Sequence, residues 1–235
     1  MRMTIKTKPS NKLCIYCGKE ANTSDHIPPK SLFATFEEMR VVPCCKECNN
    51  SYSLDEEVFR NWMVNFSYGK SLTADYIFDT KIARSFRYSP ILAKRVYEKM
   101  YELNLKTPAG ILLGKATGVK LDQADWKRIF HILDKIVKGL FYIEFRKVLP
   151  KSCTLKHTLI NGEDAIKNGL LPVKVFKWAT SKHNNVFFYG FSKAPRSSNA
   201  LFLTEYYGNV DFLTFVVSKD WKKIISSREK EPSHL

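Results

Sequence analysis

A chain of 235 residues with 44 % hydrophobic side chains is long enough for one small unit plus a second domain with a packed core. Its 38 Lys and Arg against 23 Asp and Glu give a formal charge of +15 and a pI near 9.5, pointing to an anionic partner such as nucleic acid. No apolar stretch approaches the length needed to cross a bilayer, and neither an internal repeat nor a low-complexity tract is present, which excludes membrane-spanning and solenoid architectures.

Met1 to Lys12 is polar and basic without an apolar h-region, so a cytoplasmic chain with reduced thiols is expected. Cys14-Ile-Tyr-Cys17 follows, and Cys45-Lys-Glu-Cys48 lies further on. Two residues between paired cysteines let a tight turn aim both sulfurs at one ion, so the two pairs predict one closed structural zinc site. Cys44 is adjacent to Cys45 and either sulfur could reach the ion, but the spacing favours Cys45. Cys153 stands alone and reads as a small, partly buried hydrophobe.

A four-cysteine zinc has no open coordination position, so chemistry would need a second metal. Between and beside the cysteine pairs stand Asp25, His26 and Asn49. A carboxylate and an amide oxygen suit magnesium, or manganese in its place, and an imidazole with an ordinary pKa of roughly 6.5 can deprotonate water near neutral pH. Pro28-Pro29 forbids a helix after the histidine and places it at the end of a strand.

Cys14/Cys17, Asp25-His26 and Cys45/Cys48-Asn49, in that order, resemble the zinc-bearing branch of the HNH endonucleases, as does the run Asp25 to Phe33. The resemblance covers about the first quarter of the chain. It implies a ββα-metal fold and hydrolysis of DNA phosphodiesters, with Asp25 and Asn49 holding the catalytic cation and His26 as general base. Such nucleases place a further asparagine between the histidine and the second cysteine pair, whereas residues 27 to 48 contain none. Thr35 or Glu38 is available for that post, and Asn50 is a rival to Asn49 if the helix begins one residue out of register.

Leu54, Val58, Phe59, Trp62, Met63 and Phe66 then recur at helical spacing, predicting a helix over 51–66. Its opening acids Asp55, Glu56 and Glu57 are explained by the helix dipole. Charge is uneven: residues 1–60 carry 9 basic and 8 acidic side chains, leaving 29 and 15 for the remainder. The metal unit is therefore expected to cut and the remainder to grip. Lys81, Arg84 and Arg87, followed by Lys94, Arg95 and Lys99, with Phe86, Tyr88 and Tyr97 interleaved, form the densest candidate nucleic-acid contact, although such aromatics also anchor helices to cores.

After a Pro/Gly-punctuated segment from Lys106 to Lys120, Asp122 is placed to cap a helix carrying Trp126, Ile129, Phe130, Leu133, Ile136, Val137 and Leu140 as a core stripe. His131 is expected on its solvated face, and His157, His183 and His234 have no neighbouring ligand pattern. From Leu170 onward Val173–Trp178, Val186–Phe191, Leu201–Tyr207 and Phe212–Val217 read as an antiparallel meander, with Trp221 to Leu235 as a charged tail.

The expected class is α+β: a zinc-stabilised ββα unit over residues 1–68, then a basic domain over 69–235 with helices and an antiparallel sheet, for grip or oligomerisation. The expected function is metal-dependent endonucleolytic cleavage of DNA. Two alternatives stay open: a non-catalytic zinc module that binds DNA or RNA, and a nuclease subunit of a larger defence or mobile-element assembly with a protein partner or a second copy.

Overall fold

Thr23–Ile27 (β1) and Arg40–Cys44 (β2) pair antiparallel, with Asp25 opposite Val42 and His26 opposite Val41. Side chains alternate across a strand, so Asp25 and Ile27 turn into the molecule while His26 stays half-exposed on the other face. The computed structural model describes residues 12–35, 39–169, 176–179 and 185–219. Glu38, residues 173–175 of the meander, His183, His234 and the tail from Trp221 lie outside the described residues.

The helix expected from Ser51 begins earlier and comes in two pieces, Lys46–Ser51 (α1) and Ser53–Ser67 (α2). Cys45 is the reason for the early start: it sits at the N-cap, and its Sγ accepts the Cys48 N–H at 3.5 Å. At Tyr52 the N–H turns to the Asn50 carbonyl, which separates the two helices. Leu72–Ile77 (α3), a π turn over Phe78–Ile82, Ala83–Tyr88 (α4) and Pro90–Tyr97 (α5) follow.

The stretch read as a Pro/Gly-punctuated connector holds most of a hairpin, Met100–Lys106 (β3) against Leu112–Val119 (β4). Tyr101, Leu105, Leu112 and Leu113 are exposed, so no buried face imposes the alternation that would have marked these strands. Asp122 caps Gln123–Phe145 (α6) as expected, in a reciprocal box with Asp125, and the Lys99 ammonium binds both carboxylates. The cation holds the Asp122 carboxyl down at about 2, with help from backbone N–H groups.

The C-terminal sheet has five antiparallel strands in the order β5-β9-β8-β7-β6. They are Thr154–Ile160 (β5), Lys177–Trp178 (β6), Phe187–Lys193 (β7), Ala200–Tyr206 (β8) and Val210–Val217 (β9), with a short helix, Gly162–Lys167 (α7), after β5. The meander accounts for β6 to β9. β5 was not anticipated, because this edge strand mixes Lys, Thr and His with its leucines and buries little of its surface.

One buried cluster takes Ile27 and Val42 from the first hairpin, Phe59 and Met63 from α2, Ile132 and Leu140 from α6, and Phe202 and Phe212 from the sheet. Each such side chain contributes roughly 1.5–3 kcal/mol when fully buried. The core therefore does not part at residue 68: α6 is its centre and both halves pack on it. Ile27 lies so close to α6 that a Cβ on Gly139 would stand 2.4 Å from its Cγ1. Polar ties cross the same line: the Tyr207 hydroxyl donates to the Leu32 carbonyl at 2.7 Å, and Arg40 donates to Glu144 at 2.7 Å. No helix among the described residues is long and apolar enough to cross a membrane.

Candidate functional site

The four cysteines converge. Sulfurs of Cys14, Cys17, Cys45 and Cys48 all lie within 4.8 Å of one another, with Cys17 and Cys45 3.6 Å apart. The first pair sits in a knuckle closed by the Gly18 N–H on the Cys14 carbonyl at 2.9 Å, and Gly18 supplies the positive φ of 83° that the turn requires. The second pair is the start of α1. Burial resists ionisation of Cys14, but N–H groups of Cys45, Cys17 and Tyr16 outweigh it and bring the thiol down to about 7. Four sulfurs at this separation, with donors aimed at them, fit a tetrahedral zinc.

Cys44 stands apart. Its sulfur turns to the Cys45 carbonyl at 3.2 Å, and burial pushes its thiol up, so the geometry agrees with the spacing in choosing Cys45. Cys153 packs at the edge of the main core, as expected. The described cysteines are all free thiols.

Asp25 is buried at 4 % exposure, and both of its oxygens are engaged. Tyr16 donates its hydroxyl to Oδ2 at 2.7 Å, while the Lys135 ammonium lies 2.8 Å from Oδ1. Lys135 comes from the middle of α6, is fully buried, also pairs with Glu56, and sits 5.3 Å from the centre of the Tyr52 ring. Burial pushes the Glu56 carboxyl up against the pull of this lysine. Burial and the adjacent Asp25 carboxylate push the Tyr16 phenol up, so it remains a hydrogen-bond donor.

A carboxylate has about four lone-pair sites, so two contacts do not exhaust Asp25. An ammonium at hydrogen-bond distance, however, already supplies the positive charge that a divalent cation would bring. Lys135 also has a second carboxylate partner in Glu56. Asn49 lies on α1, half-exposed, one residue past the sulfur cluster, and its N–H caps back onto the Cys45 carbonyl at 3.0 Å. Asn50 is exposed, and its carbonyl accepts the Ser53 hydroxyl at 2.9 Å. α1 packs against β1, with Asn22 Oδ1 accepting the Lys46 N–H at 2.9 Å.

The His26 imidazole makes no hydrogen bond with another described residue. Burial, then the charge of Lys30, pushes its imidazole below the usual range despite the neighbouring Asp25. A neutral ring with an unengaged nitrogen is the state a general base needs. Thr35 is exposed beyond the turn at Lys30–Leu32, in a loop rather than on the sheet.

Two expectations need correction. Asp55 and Glu56 do more than answer the helix dipole: Asp55 takes His131 Nδ1 at 2.7 Å, and Glu56 takes Lys135. His131 is exposed on the solvated face of α6, as expected, and pairs there with Asp55, its ring 4.9 Å from that of Tyr52. His157 is enclosed, bridging Asp134 at 2.8 Å and Thr214 at 2.9 Å. Lys135 and Tyr16 are the functional candidates that sequence reasoning missed. A signal for the lysine existed, because Ile132 and Gly139 flank it at three and four residues and put it on the buried arc.

The basic stretch divides by role. Lys81 is half-buried and donates to the Phe33 carbonyl at 2.9 Å, and burial together with Arg60 lowers its pKa. Lys99 is held by Asp122 and Asp125. Arg84, Arg87, Lys94 and Arg95 are exposed, Arg84 lies 5.9 Å over the Tyr88 ring, and Lys94 pairs with Glu98 at 3.7 Å. Phe86 packs on the core, whereas Tyr88 and Tyr97 face solvent.

No protein-family model, curated protein or solved structure matches this chain.

Proposed function

We propose that the chain is an HNH-type nuclease that hydrolyses nucleic-acid phosphodiesters, with DNA as substrate. The single observation that supports this most is the arrangement of β1, β2 and α1 around the four-sulfur cluster. It leaves a neutral, half-exposed His26 on a strand that packs against the helix carrying Asn49. Zinc at the four thiolates would hold the knuckle, the hairpin and the helix start together. Asp25 and Asn49 would hold a divalent cation, which when bound would polarise the phosphoryl oxygen and stabilise the leaving 3′ oxygen. His26 takes the proton from the attacking water. Lys135 would keep Glu56 as its carboxylate partner.

Incubating supercoiled plasmid with magnesium or manganese, with and without chelator, tests the reading. Nicking that depends on the cation and disappears in His26→Ala, with fold and zinc content intact, is the expected result. A His26→Ala protein cutting at the wild-type rate would refute the assignment.

The pairing of Asp25 with Lys135 favours a second reading, in which the chain binds nucleic acid without cutting it. In that case Lys135 permanently fills the place of the cation, and the plasmid is retarded but stays supercoiled.

A further inference from the structure

At the far end of α6 a cleft of about 880 Å3 opens between the loop after that helix, the loop joining β7 to β8, and the end of β9. Among the described residues four cations line it, Lys147, Lys193, Arg196 and Lys219, and no carboxylate does. Lys147, Arg196 and Lys219 are exposed, whereas Lys193 is half-buried, with its ammonium 5.2 Å from the Phe145 ring centre. Like charges gathered in a concavity focus a positive potential, a costly arrangement unless an anion offsets it.

The walls are built rather than loose. In the β7–β8 loop the Ala194 N–H bonds the Asn199 carbonyl at 3.0 Å, and the Asn199 N–H bonds Ser197 Oγ at 3.1 Å. Asn199 Oδ1 takes the Ser218 N–H at 2.7 Å, which ties the loop to the end of β9 and leaves the two Nδ2 donors outside that bond. Arg196 holds a left-handed backbone, φ 54°, just after Pro195, so the turn presents the guanidinium at the rim at some conformational cost.

We propose that this cleft binds the phosphodiester backbone of nucleic acid. A linear polyanion can meet several cations at once and release their counterions, and hydroxyl and amide donors like those of Ser198 and Asn199 are the ordinary partners of phosphate oxygens. The position favours a strand over a small free anion. Lys151, in the loop that forms one wall, reaches the zinc knuckle, with its Nζ 3.4 Å from the Cys17 carbonyl. A backbone lying in the cleft would therefore run on toward β1 and α1. The identity of the ligand rests on the proposed function; the presence of an anion site does not.

The test is fluorescence anisotropy with a short labelled duplex and chelator present, so that nothing is cut, over a series of salt concentrations. Lys147→Ala, Arg196→Asn and Lys219→Ala are combined in one protein; asparagine keeps a residue tolerant of the left-handed backbone at 196. The expected result is an affinity loss of about tenfold or more and a salt slope shallower by about 2 to 3, near 0.9 for each phosphate no longer neutralised. Should that protein melt below wild type, Lys147→Glu with Lys219→Glu in otherwise native sequence gives the same readout. Unchanged affinity and slope overturn the proposal. So does a cleft that takes inorganic tripolyphosphate or anionic vesicles in a charge-dependent way while duplex binding ignores the substitutions. If the triple variant loses duplex binding but wild type never nicks plasmid, the cleft stands and the nuclease reading falls. The reverse pattern sinks the cleft alone.

Discussion

The Lys135 ammonium rests 2.8 Å from Asp25 Oδ1 with neither residue open to solvent, joining the strand of the cysteine-bearing hairpin to the central helix of the other half. The same lysine holds Glu56, so one buried cation serves two carboxylates, and Tyr16 covers the remaining Asp25 oxygen. Ions are costly to bury, and leaving one without its partner is costlier.

Lys135→Met should therefore destabilise the fold by about 3–5 kcal/mol, because it strands Asp25 and Glu56 in the interior. For a chain of this size each kcal/mol lowers the melting temperature by roughly 2–4 °C. Adding Asp25→Asn to Lys135→Met should return part of the loss. A double-mutant cycle by thermal melting measures it, and strictly additive effects would mean that the pair is not coupled.

Zinc content separates the cysteines. Cys17→Ser and Cys48→Ser should each lose bound zinc and the ordered N-terminal unit, since ligand geometry and folding are linked in small metal sites. Cys44→Ser should keep the wild-type zinc stoichiometry, as its sulfur is not among the four that lie within 4.8 Å of one another. Metal analysis of the purified variants decides between them.

Packing of α6 on the first hairpin predicts an unusual cost for adding a methyl. Alanine in a helix is favoured over glycine by about 1 kcal/mol. At Gly139 the new Cβ would meet Ile27 Cγ1 at 2.4 Å. Overpacking typically costs about 1–3 kcal/mol, so Gly139→Ala should be neutral to destabilising rather than stabilising. Ile27→Val in the same protein should restore stability in denaturant unfolding, and a Gly139→Ala protein more stable than wild type would contradict the contact.

Glu205 and Asp211 stand directly opposite each other on β8 and β9. Burial first, and then Asp211, raises the Glu205 carboxyl, while burial raises Asp211 against the Gly162 N–H. Both native carboxyls thus hold protons more tightly than their unfolded counterparts, near 4. The native state binds more protons in the window from about 4 up to the raised values, so stability must fall as pH rises through it. Glu205→Gln should flatten that decline and add roughly 0.5 kcal/mol at neutral pH, allowing for screening of a half-exposed group. Urea midpoints across the window give the answer.

The exposed basic face offers a contrast within one stretch. Arg84→Ala with Arg87→Ala should make the salt dependence of duplex affinity shallower by about 0.9 for each phosphate that the arginines had neutralised. Lys81→Ala should leave that slope alone and lower thermal stability instead, because its ammonium is spent on the Phe33 carbonyl.

What the sequence determined by itself is local. Two residues between cysteines set the reach of a turn, so the cluster of Cys14, Cys17, Cys45 and Cys48 was legible, as were the cap at Asp122 and the paired strands after residue 185. A helix start is also local, yet α1 begins five residues ahead of the expected start at residue 51 because a cysteine at its cap, not apolar periodicity, sets the boundary. The exposed β3–β4 hairpin escaped for a related reason, having no core to impose a pattern. Only the tertiary structure decided what Asp25 touches. Lys135, which also holds Glu56, is brought to it by the packing of α6 and α2 on the hairpin, and Tyr16 by the fold of the knuckle. Electrostatic partnership depends on distance in space, which the order of residues along the chain does not carry.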